Sequence, residues 1–365
     1  MVFRKQFTAF IASVCLAISS SFAQAPPQQK DMTVSAAMRT EVIENILQKL
    51  NKSYVFPDKA AEMEKAVRQR LKNKEYDTIT SAREFARKLT ADLREISHDK
   101  HLRVNYFAEA RPDETGPKEP TDEEKQRELR FSRMINFGFE KIERMRGNIG
   151  YVDLRGFFEA ETGGPTAAAA MNFLANTDAL IIDLRQNGGG APGMVALICS
   201  YFFSGEPVHL NDLYWRPTNT TQQWWTFAYV PGARYINKDV YILTSSRTFS
   251  AAEEFTYNMK NLKRASVVGE TTGGGAHPGE GVRLSNHFGA FIPTGRAINP
   301  ITKTNWEGTG VTPDINVPAE QALKAAYIDA LKKRITQTQD MMLKQQWQEL
   351  VVETQKELEE MKAKK

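Results

Sequence analysis

Apolar runs alternate with segments of helical periodicity through the middle of this 365-residue chain, and that alternation constrains the fold most. The runs 178–185 and 240–243 have the length and composition of strands buried on both faces. A turn follows each run, and a helix is then predicted, over 194–203 after the first and 251–262 after the second. This order predicts an α/β core with a largely parallel sheet.

The N-terminal part of the chain has a different pattern. Apolar residues spaced three and four apart predict helices over 34–50, 58–71 and 81–96, and an alternating piece at 102–107 predicts a strand. A stretch rich in Pro, Glu, Asp and Lys then predicts an exposed linker. The predicted division is a signal peptide at 1–25, a helical N-terminal domain at 26–107, a linker at 108–145, the α/β core at 146–320 and a long C-terminal helix within 321–365.

The first residues carry the features of a secretory signal peptide. Positive charge precedes the apolar stretch 7–22, and a small-x-small cleavage site ends at Ala25. We therefore expect an exported protein, periplasmic or secreted, without a stable membrane anchor. Lipid attachment at Cys15 is disfavoured because Val14 is not a small residue. Cleavage leaves a single cysteine, Cys199, so no internal disulfide is expected. Cys199 lies in an apolar run and is expected in the core.

Composition excludes some classes of partner and cofactor. The net charge is +4 and 41% of residues are hydrophobic, which is ordinary for a soluble globular protein. The small basic excess is spread along the chain, so no nucleic-acid partner is expected. His98 and His101 share a loop, but no third ligand with suitable spacing accompanies them, so neither a metal nor another cofactor is expected. The sequence does not define the oligomeric state.

Ser250 stands between the predicted strand at 240–243 and the following helix. With Glu253 three residues later, it matches a capping box, and taken alone that structural interpretation is the better one. The same position would also expose a hydroxyl beside free backbone N–H groups, which suits a nucleophile with an oxyanion hole.

Other parts of the chain offer the groups that a serine nucleophile needs. The glycines 188–190 could donate N–H groups, although a plain strand-to-helix turn explains them equally. A base could be any of the five histidines, at positions 98, 101, 209, 277 and 287. Glu307 could orient that base, or it could be a solvated loop acid.

Five motifs in order make the chain resemble the tail-specific, or C-terminal processing, serine peptidases. Within that family it is similar to the branch of interphotoreceptor retinol-binding protein. The resemblance covers roughly 35–105 and 145–320. The motifs are Ile181–Gly190, Phe249–Glu253, Val268–Gly273, Thr294–Ile298 and Gly308–Asp314.

The resemblance implies a core of the Clp-protease and crotonase kind, an α/β spiral, with Ser250 as nucleophile. The oxyanion donors would be the N–H groups of Ala251 and of Gly189 or its neighbour. The lysine of the bacterial Ser/Lys dyad is replaced by Gly275. The tricorn-like arrangement then implies His101 as base and Glu307 as its orienter, with two histidines in reserve, His98 and His277.

The sequence therefore predicts an exported serine endopeptidase that cleaves polypeptides without a PDZ domain. The segment between the N-terminal domain and the core is too short for such a module. The alternative is a non-catalytic carrier of apolar ligands, such as a retinoid or a fatty acid, on the same fold. A Trp-rich insertion, 215–225, could line the cleft or belong to the core.

Overall fold

The computed structural model describes residues 30–111 and 121–363. The predicted signal peptide and its cleavage site at Ala25 lie outside these residues. The chain forms two compact units, which are described separately. Of the described residues, unit 1 contains those up to Asp122 together with Asp212–Gln222 and Gly275–Ile298, and unit 2 contains the others.

Unit 1 begins with the three helices that the periodicity predicted. They are α1 (Ala36–Ser53), α2 (Pro57–Lys72) and α3 (Ala82–Ser97). The side chains of Ser35 and Ser81 cap α1 and α3, and Pro57 stands in the first turn of α2, where its missing N–H is not needed. Local sequence therefore defines both the existence and the limits of these helices.

The helices of unit 1 pack on a sheet whose strands come from distant parts of the chain. Strand β1 (Arg103–Tyr106) pairs antiparallel with β10 (Phe288–Pro293), which pairs antiparallel with β9 (Gly279–Arg283). Apolar residues of the helices and of β10 share one core, including Ile46, Leu50, Phe85, Leu89, Phe288 and Ile292. The N-terminal helices therefore complete their core with residues from near position 290.

A further small sheet has the order β11–β5–β6. Its strands are β11 (Gly295–Ile298), β5 (His209–Trp215) and β6 (Thr220–Trp225). The first two pair antiparallel, with Arg296 opposite Tyr214. The Trp-rich insertion thus comprises the last residue of β5, the turn that follows it and β6.

Unit 2 is built on a six-stranded sheet with the order β12–β8–β7–β4–β3–β2. All neighbouring strands are parallel except β2 and β3, which are antiparallel. This arrangement confirms the predicted mixed α/β fold. The strands are β2 (Phe139–Met145), β3 (Ile149–Leu154), β4 (Ala179–Asp183), β7 (Asp239–Thr244), β8 (Ser266–Gly269) and β12 (Ile315–Asn316).

Helices cover both faces of the unit 2 sheet, so its central strands are apolar on both sides. In β4, Leu180 and Ile182 face one core cluster, whereas Ala179 and Ile181 face the other. The first cluster includes α5 (Ala160–Leu174), α6 (Pro192–Ser200) and α7 (Ala251–Asn261). The second includes α8 (Ala322–Gln337) and α9 (Met341–Ala363). Cys199 is buried in the first cluster, as predicted.

Two predicted segments differ from the structure. The range 108–145, expected as a linker, contains α4 (Asp122–Met134) and β2. The many charged residues of α4 give this segment the composition of a loop. They are compatible with a helix because most of the surface of α4 is exposed. The C-terminal extension is two helices, because Thr338 is extended and Asp340 accepts N–H bonds at the start of α9. Among the described residues, no helix has both the length and the apolarity to cross a bilayer.

Candidate active site

Two neighbouring parallel strands of unit 2 lead into the predicted catalytic segments. Strands β4 and β7 pair side by side, so their carboxyl ends lie at the same edge of the sheet. The glycine turn 188–190 follows β4, and Ser250 follows β7. Phe249 N–H donates to the Asn187 carbonyl at 3.1 Å, which joins the two segments directly. The topology therefore brings Ser250 and the glycines together, as an active site at a sheet edge requires.

Ser250 has an unusual backbone conformation. It stands at the N-cap of α7 with φ 56° and ψ −124°, and it is half-buried. A positive φ at a residue with a side chain costs roughly 1–3 kcal/mol, and such strain clusters at functional sites. The predicted capping box with Glu253 is present. The cap and the nucleophile are therefore compatible roles for Ser250.

Glu253 is completely buried and connects Ser250 to the segment that follows β8. Its Oε2 accepts the Ser250 N–H at 3.0 Å. Its Oε1 accepts the Gly274 N–H at 2.6 Å and also the Thr272 hydroxyl. One side chain thus fixes both the backbone of the serine and the loop at Gly274, a role beyond the helix cap that the sequence predicted.

The structure allows the predicted oxyanion donors to be compared. Gly189 N–H donates to Asn187 Oδ1 at 2.9 Å, so it would have to exchange this bond before it could serve a substrate. Among the described residues, no acceptor is found for the N–H groups of Ala251, Gly188 or Gly190. The first N–H groups of a helix have no intrahelical partner. Ala251 is therefore the best placed donor, with a neighbour of Gly189 as the second.

Gly189 allows the close approach between the turn and Ser250. It has φ +112°, and a Cβ there would lie 2.7 Å from the Ser250 Cβ, whereas a Cβ at Gly188 would meet nothing within 4 Å. We expect Gly189→Ala to lower kcat/KM for peptide hydrolysis by about 10²-fold or more, because the serine and the turn must separate. Gly164→Ala is the matched control outside the turn, because a Cβ there would lie 3.4 Å from Leu197 Cδ2, and it should stay within about threefold of wild type. Equal losses in the two variants would contradict this steric explanation.

Unit 1 contains a buried pair formed by Asp99 and His277. Asp99 has no exposed surface, and its Oδ2 lies 2.8 Å from His277 Nδ1. The same carboxylate accepts the His101 backbone N–H at 2.9 Å and the Tyr54 hydroxyl at 3.3 Å. Burial raises the pKa of Asp99, but the hydrogen bond from His277 and the nearby histidine charges outweigh it, so the pKa lies below its ordinary value. An ionised Asp99 only accepts, so His277 Nδ1 carries a proton and neutral His277 has its lone pair on Nε2.

The three histidines considered as bases differ in their surroundings. His101 is buried next to Phe291, and burial lowers its pKa to about 4, although Asp99 opposes the shift. His98 is exposed and ends α3 in a left-handed conformation, φ 55°, with its N–H on the Arg94 carbonyl. His277 has a carboxylate beside its Nδ1, and its ring packs edge-to-face with that of Phe56 at a centroid distance of 5.2 Å. The structure thus gathers His101, His277 and Asp99 in unit 1, with the orienting carboxylate on His277.

Asp99 is a candidate functional residue that the sequence interpretation missed. It stands between the two histidines of the segment 97–101, so its place in the chain was visible. Its partner is His277, which lies on the distant segment before β9. A pairing across that separation requires knowledge of the β1–β10–β9 sheet, which periodicity did not predict.

Glu307, the predicted orienter, lies in unit 2 in a loop after Trp306. The indole of Trp306 is buried against Tyr257, with ring centroids 5.3 Å apart. Glu307 N–H donates to Asn305 Oδ1 at 2.9 Å, and Gly308 N–H donates to the Gly274 carbonyl at 3.1 Å. The loop of Glu307 is thus fixed to the segment that Glu253 holds, and Glu307 keeps its sequence-based role as a prediction.

The tryptophans of the insertion occupy different environments. In unit 1, Trp215 is packed against Gly295. In unit 2, the ring of Trp224 faces Gly193 at the start of α6, whereas Trp225 stacks on His209 at 4.3 Å and is 41% exposed. The insertion therefore contributes both packed and accessible rings.

Glu254, next to Glu253 on α7, is a buried acid beside Asn211. Burial raises its pKa to about 8. Since the folded pKa lies above the unfolded value of 4.5, the folded protein holds this proton more tightly. The contribution of Glu254 to the free energy of unfolding should therefore be fully present below about pH 4.5 and be lost as pH rises to about 8.

We expect Glu254→Gln to remove this pH dependence. The variant should match wild type near pH 5 and exceed its unfolding free energy by up to about 4 kcal/mol near pH 8. Urea unfolding at both pH values measures the difference, with the exposed Glu360→Gln as control. A constant difference across this range would show that Glu254 ionises normally.

Comparison with protein families identifies the chain. The model "Peptidase family S41" matches residues 148–317, which include Ser250, the glycine turn, His277 and Glu307. The model "N-terminal domain of Peptidase_S41 in eukaryotic IRBP" matches residues 30–141. The chain belongs to peptidase family S41. The predicted family and its serine-type peptidase class are thereby confirmed.

Two solved structures of low identity share the fold seen here. A candidate peptidase from Parabacteroides merdae is 17% identical, with a TM-score of 0.54 over 78% of this chain and 92% of its own. A lipoprotein from Streptococcus agalactiae is 16% identical, with a TM-score of 0.52 over 85% and 99%. A candidate S41 protease from Bacteroides fragilis is 18% identical, with a TM-score of 0.45 over 51% of this chain. The chain spans about half, 52%, of the length of that protein.

Proposed function

We propose that this protein is an exported serine endopeptidase in which Ser250 attacks the peptide carbonyl. The observation that carries the proposal is the strained, half-buried Ser250 at the N-terminus of α7, in contact with a glycine turn. Attack forms the bond from Ser250 Oγ to the carbonyl carbon. The resulting oxyanion would accept hydrogen bonds from the backbone N–H groups of Ala251 and of the glycine turn. Collapse of this intermediate expels the amine and leaves an acyl-enzyme that water hydrolyses.

For the base we propose His277, oriented by Asp99, in place of the pair His101 and Glu307. Asp99 already holds Nδ1, which leaves Nε2 to take the Ser250 proton and return it to the leaving amine. Burial lowers the pKa of His101 to about 4, which makes it a weak base near neutral pH. Asp99 would then be the carboxylate that orients the catalytic base.

Chain connectivity supports the choice of His277. Gly274 N–H is held by Glu253, whose other carboxylate oxygen accepts the Ser250 N–H. His277 follows Gly274 by three residues, and three extended residues span at most about 11 Å. The covalent chain therefore limits how far His277 can stand from the segment fixed to Ser250.

Export and substrate selection belong to the same proposal. The signal peptide predicts cleavage after Ala25 and a periplasmic or secreted protein that acts on polypeptides. Between β1 and β3 the described residues form α4 and β2, and β2 is a strand of the unit 2 sheet. We therefore propose that the core selects substrates without a PDZ domain.

A cavity in the core of unit 2 is too small to hold an apolar ligand of the kind that the carrier alternative requires. The space between β3, β4 and α5 measures about 10 Å³ and is lined by apolar side chains that include Phe139, Leu154, Met171 and Ile182. That volume accommodates no more than one water molecule, far less than a retinoid or a fatty acid. This space therefore gives no reason to prefer the carrier.

A serine-reactive fluorophosphonate probe tests the proposal directly. We expect stoichiometric labelling of the wild-type protein and none of Ser250→Ala, with the modified peptide identified by mass spectrometry. His277→Ala should label much more slowly because the hydroxyl keeps its proton. A folded wild-type protein that is not labelled, or labelling on another residue, would reject Ser250 as the nucleophile.

A further inference from the structure

The start of α6 and the start of α5 meet beneath the indole of Trp224. Gly193 has no side chain, and a Cβ built there would lie 3.9 Å from the Ala160 Cβ and 3.9 Å from Trp224 Cζ3. Gly193 and Ala160 are small, so the ring of Trp224 is the largest of the three side chains where the two helices begin. Its Nε1–H is buried without an acceptor among the described residues, which leaves a donor for a ligand or a water molecule.

This position adjoins the glycine turn through the backbone. Phe157 N–H donates to the Gly189 carbonyl at 2.9 Å, and the Phe157 carbonyl accepts the Ala191 N–H at 2.6 Å. Helix α5 begins at Ala160, three residues after Phe157, and α6 begins directly after Ala191. Both helix starts therefore lie next to the turn that contacts Ser250. A peptide bound at the turn would have a neighbouring side chain near Trp224.

The residue before α5, Glu159, is adjacent in the chain to Ala160. Glu159 is half-buried, and its carboxylate has neither a hydrogen bond nor an ion pair among the described residues. Burial raises its pKa to about 7, with further contributions from Glu161 and Glu128. A desolvated acid near two other acids and without a counter-ion is stabilised by a bound cation. The face of an indole also attracts cations.

We propose that Glu159 and Trp224, with Gly193 between the helix starts, form a substrate subsite for a lysine or arginine side chain next to the scissile bond. The proposal rests on the proposed peptidase function. Glu159 would pair with the ammonium or guanidinium group, Trp224 would cover its alkyl stem, and Gly193 would leave room for it. The competing structural interpretation is that Glu159 is only a solvated residue at the start of α5 and that Trp224 is a packing residue.

Matched peptides that differ only in lysine or norleucine at one position test this subsite. At pH 8 we expect wild-type kcat/KM for the lysine peptide to exceed that for the norleucine peptide by about tenfold at one position. Glu159→Gln should bring this ratio close to one. Since the carboxylate is charged only above its pKa, the ratio should fall as pH drops through about 7. A ratio that is independent of pH, or unchanged in Glu159→Gln, overturns the proposal.

Glu161→Gln is the matched control at a neighbouring exposed acid. It should retain the lysine preference and shift its pH midpoint to a lower value, because the charge that raises the pKa of Glu159 is reduced. A structural role for Glu159 would predict no such shift. Trp224→Leu should reduce the lysine preference without changing the pH midpoint.

A binding measurement separates this proposal from the peptidase mechanism. The Ser250→Ala protein is titrated with the lysine and norleucine peptides, with tryptophan fluorescence as the readout, so no turnover is needed. About tenfold tighter binding of the lysine peptide, lost on adding Glu159→Gln, supports the subsite even if hydrolysis is absent. Equal affinities overturn the subsite while leaving Ser250 labelling and catalysis unaffected.

Discussion

Replacement of Ser250 by alanine is expected to lower kcat for peptide hydrolysis by about 10⁴-fold or more, the scale seen when a serine nucleophile is removed. KM should change little, because the hydroxyl acts on the reacting carbonyl and contributes little to ground-state binding. Stopped assays with a fluorogenic peptide measure both constants. Residual activity above background can arise from the oxyanion donors alone.

The control for this variant is Ser246→Ala in the same loop. Ser246 is exposed, and its backbone N–H donates to Glu270, so a loss of its hydroxyl should leave kcat within about twofold. Thermal unfolding should show both variants folded. The nucleophile assignment would be wrong if Ser250→Ala kept more than about a tenth of wild-type kcat.

Replacement of Asp99 by asparagine should be the second largest effect, a loss of about 10³- to 10⁴-fold in kcat. Asparagine can donate to His277 Nδ1 and so favours the tautomer whose Nε2 carries the proton and cannot act as a base. The buried site also loses a charge that stabilises the imidazolium formed during the reaction. His277→Ala should cost a similar factor, and the double variant should lose little more than either single one.

Two comparison variants separate Asp99 and His277 from the residues that the family resemblance indicated. His101→Gln and Glu307→Gln should each cost less than Asp99→Asn in kcat. A larger loss for Glu307→Gln than for Asp99→Asn would restore Glu307 as the orienter. Circular dichroism must accompany these assays, since Asp99 also receives bonds from Tyr54 and His101 and its replacement can lower stability.

The sequence predicted best those features that depend on neighbouring residues. Helix α1, helix α3 and the strand before Ser250 follow from periodicity, and two serine caps set the helix starts. The capping box of Ser250 and Glu253 also lies within one helical turn. In contrast, β10 pairs with β1, which is distant in the chain, and β9 pairs with β10. Their pairing was therefore not predicted.

The candidate site shows the same division. Ser250, the glycine turn and Ala251 follow two apolar strands, so local patterns identified them. The partner of Asp99 could not be identified from spacing, because five histidines were available and the hydrogen bond to His277 depends on tertiary structure. The occupied N–H of Gly189 likewise depends on the side chain of Asn187, which a motif does not orient.

Unit 1 is built from segments that lie far apart in the chain, and this has a consequence for its synthesis. Its helices lie at the beginning of the chain, but the strand that completes their core, β10, ends only at Pro293. A ribosome makes about 5–20 residues per second, so the early helices wait for roughly 10 s or longer before β10 is available. During synthesis, the apolar helix residues that share a core with β10 therefore lack this partner until most of the polypeptide has been made. Exposed apolar surface of this kind promotes association, and a fragment ending near residue 110 would lack β10 altogether.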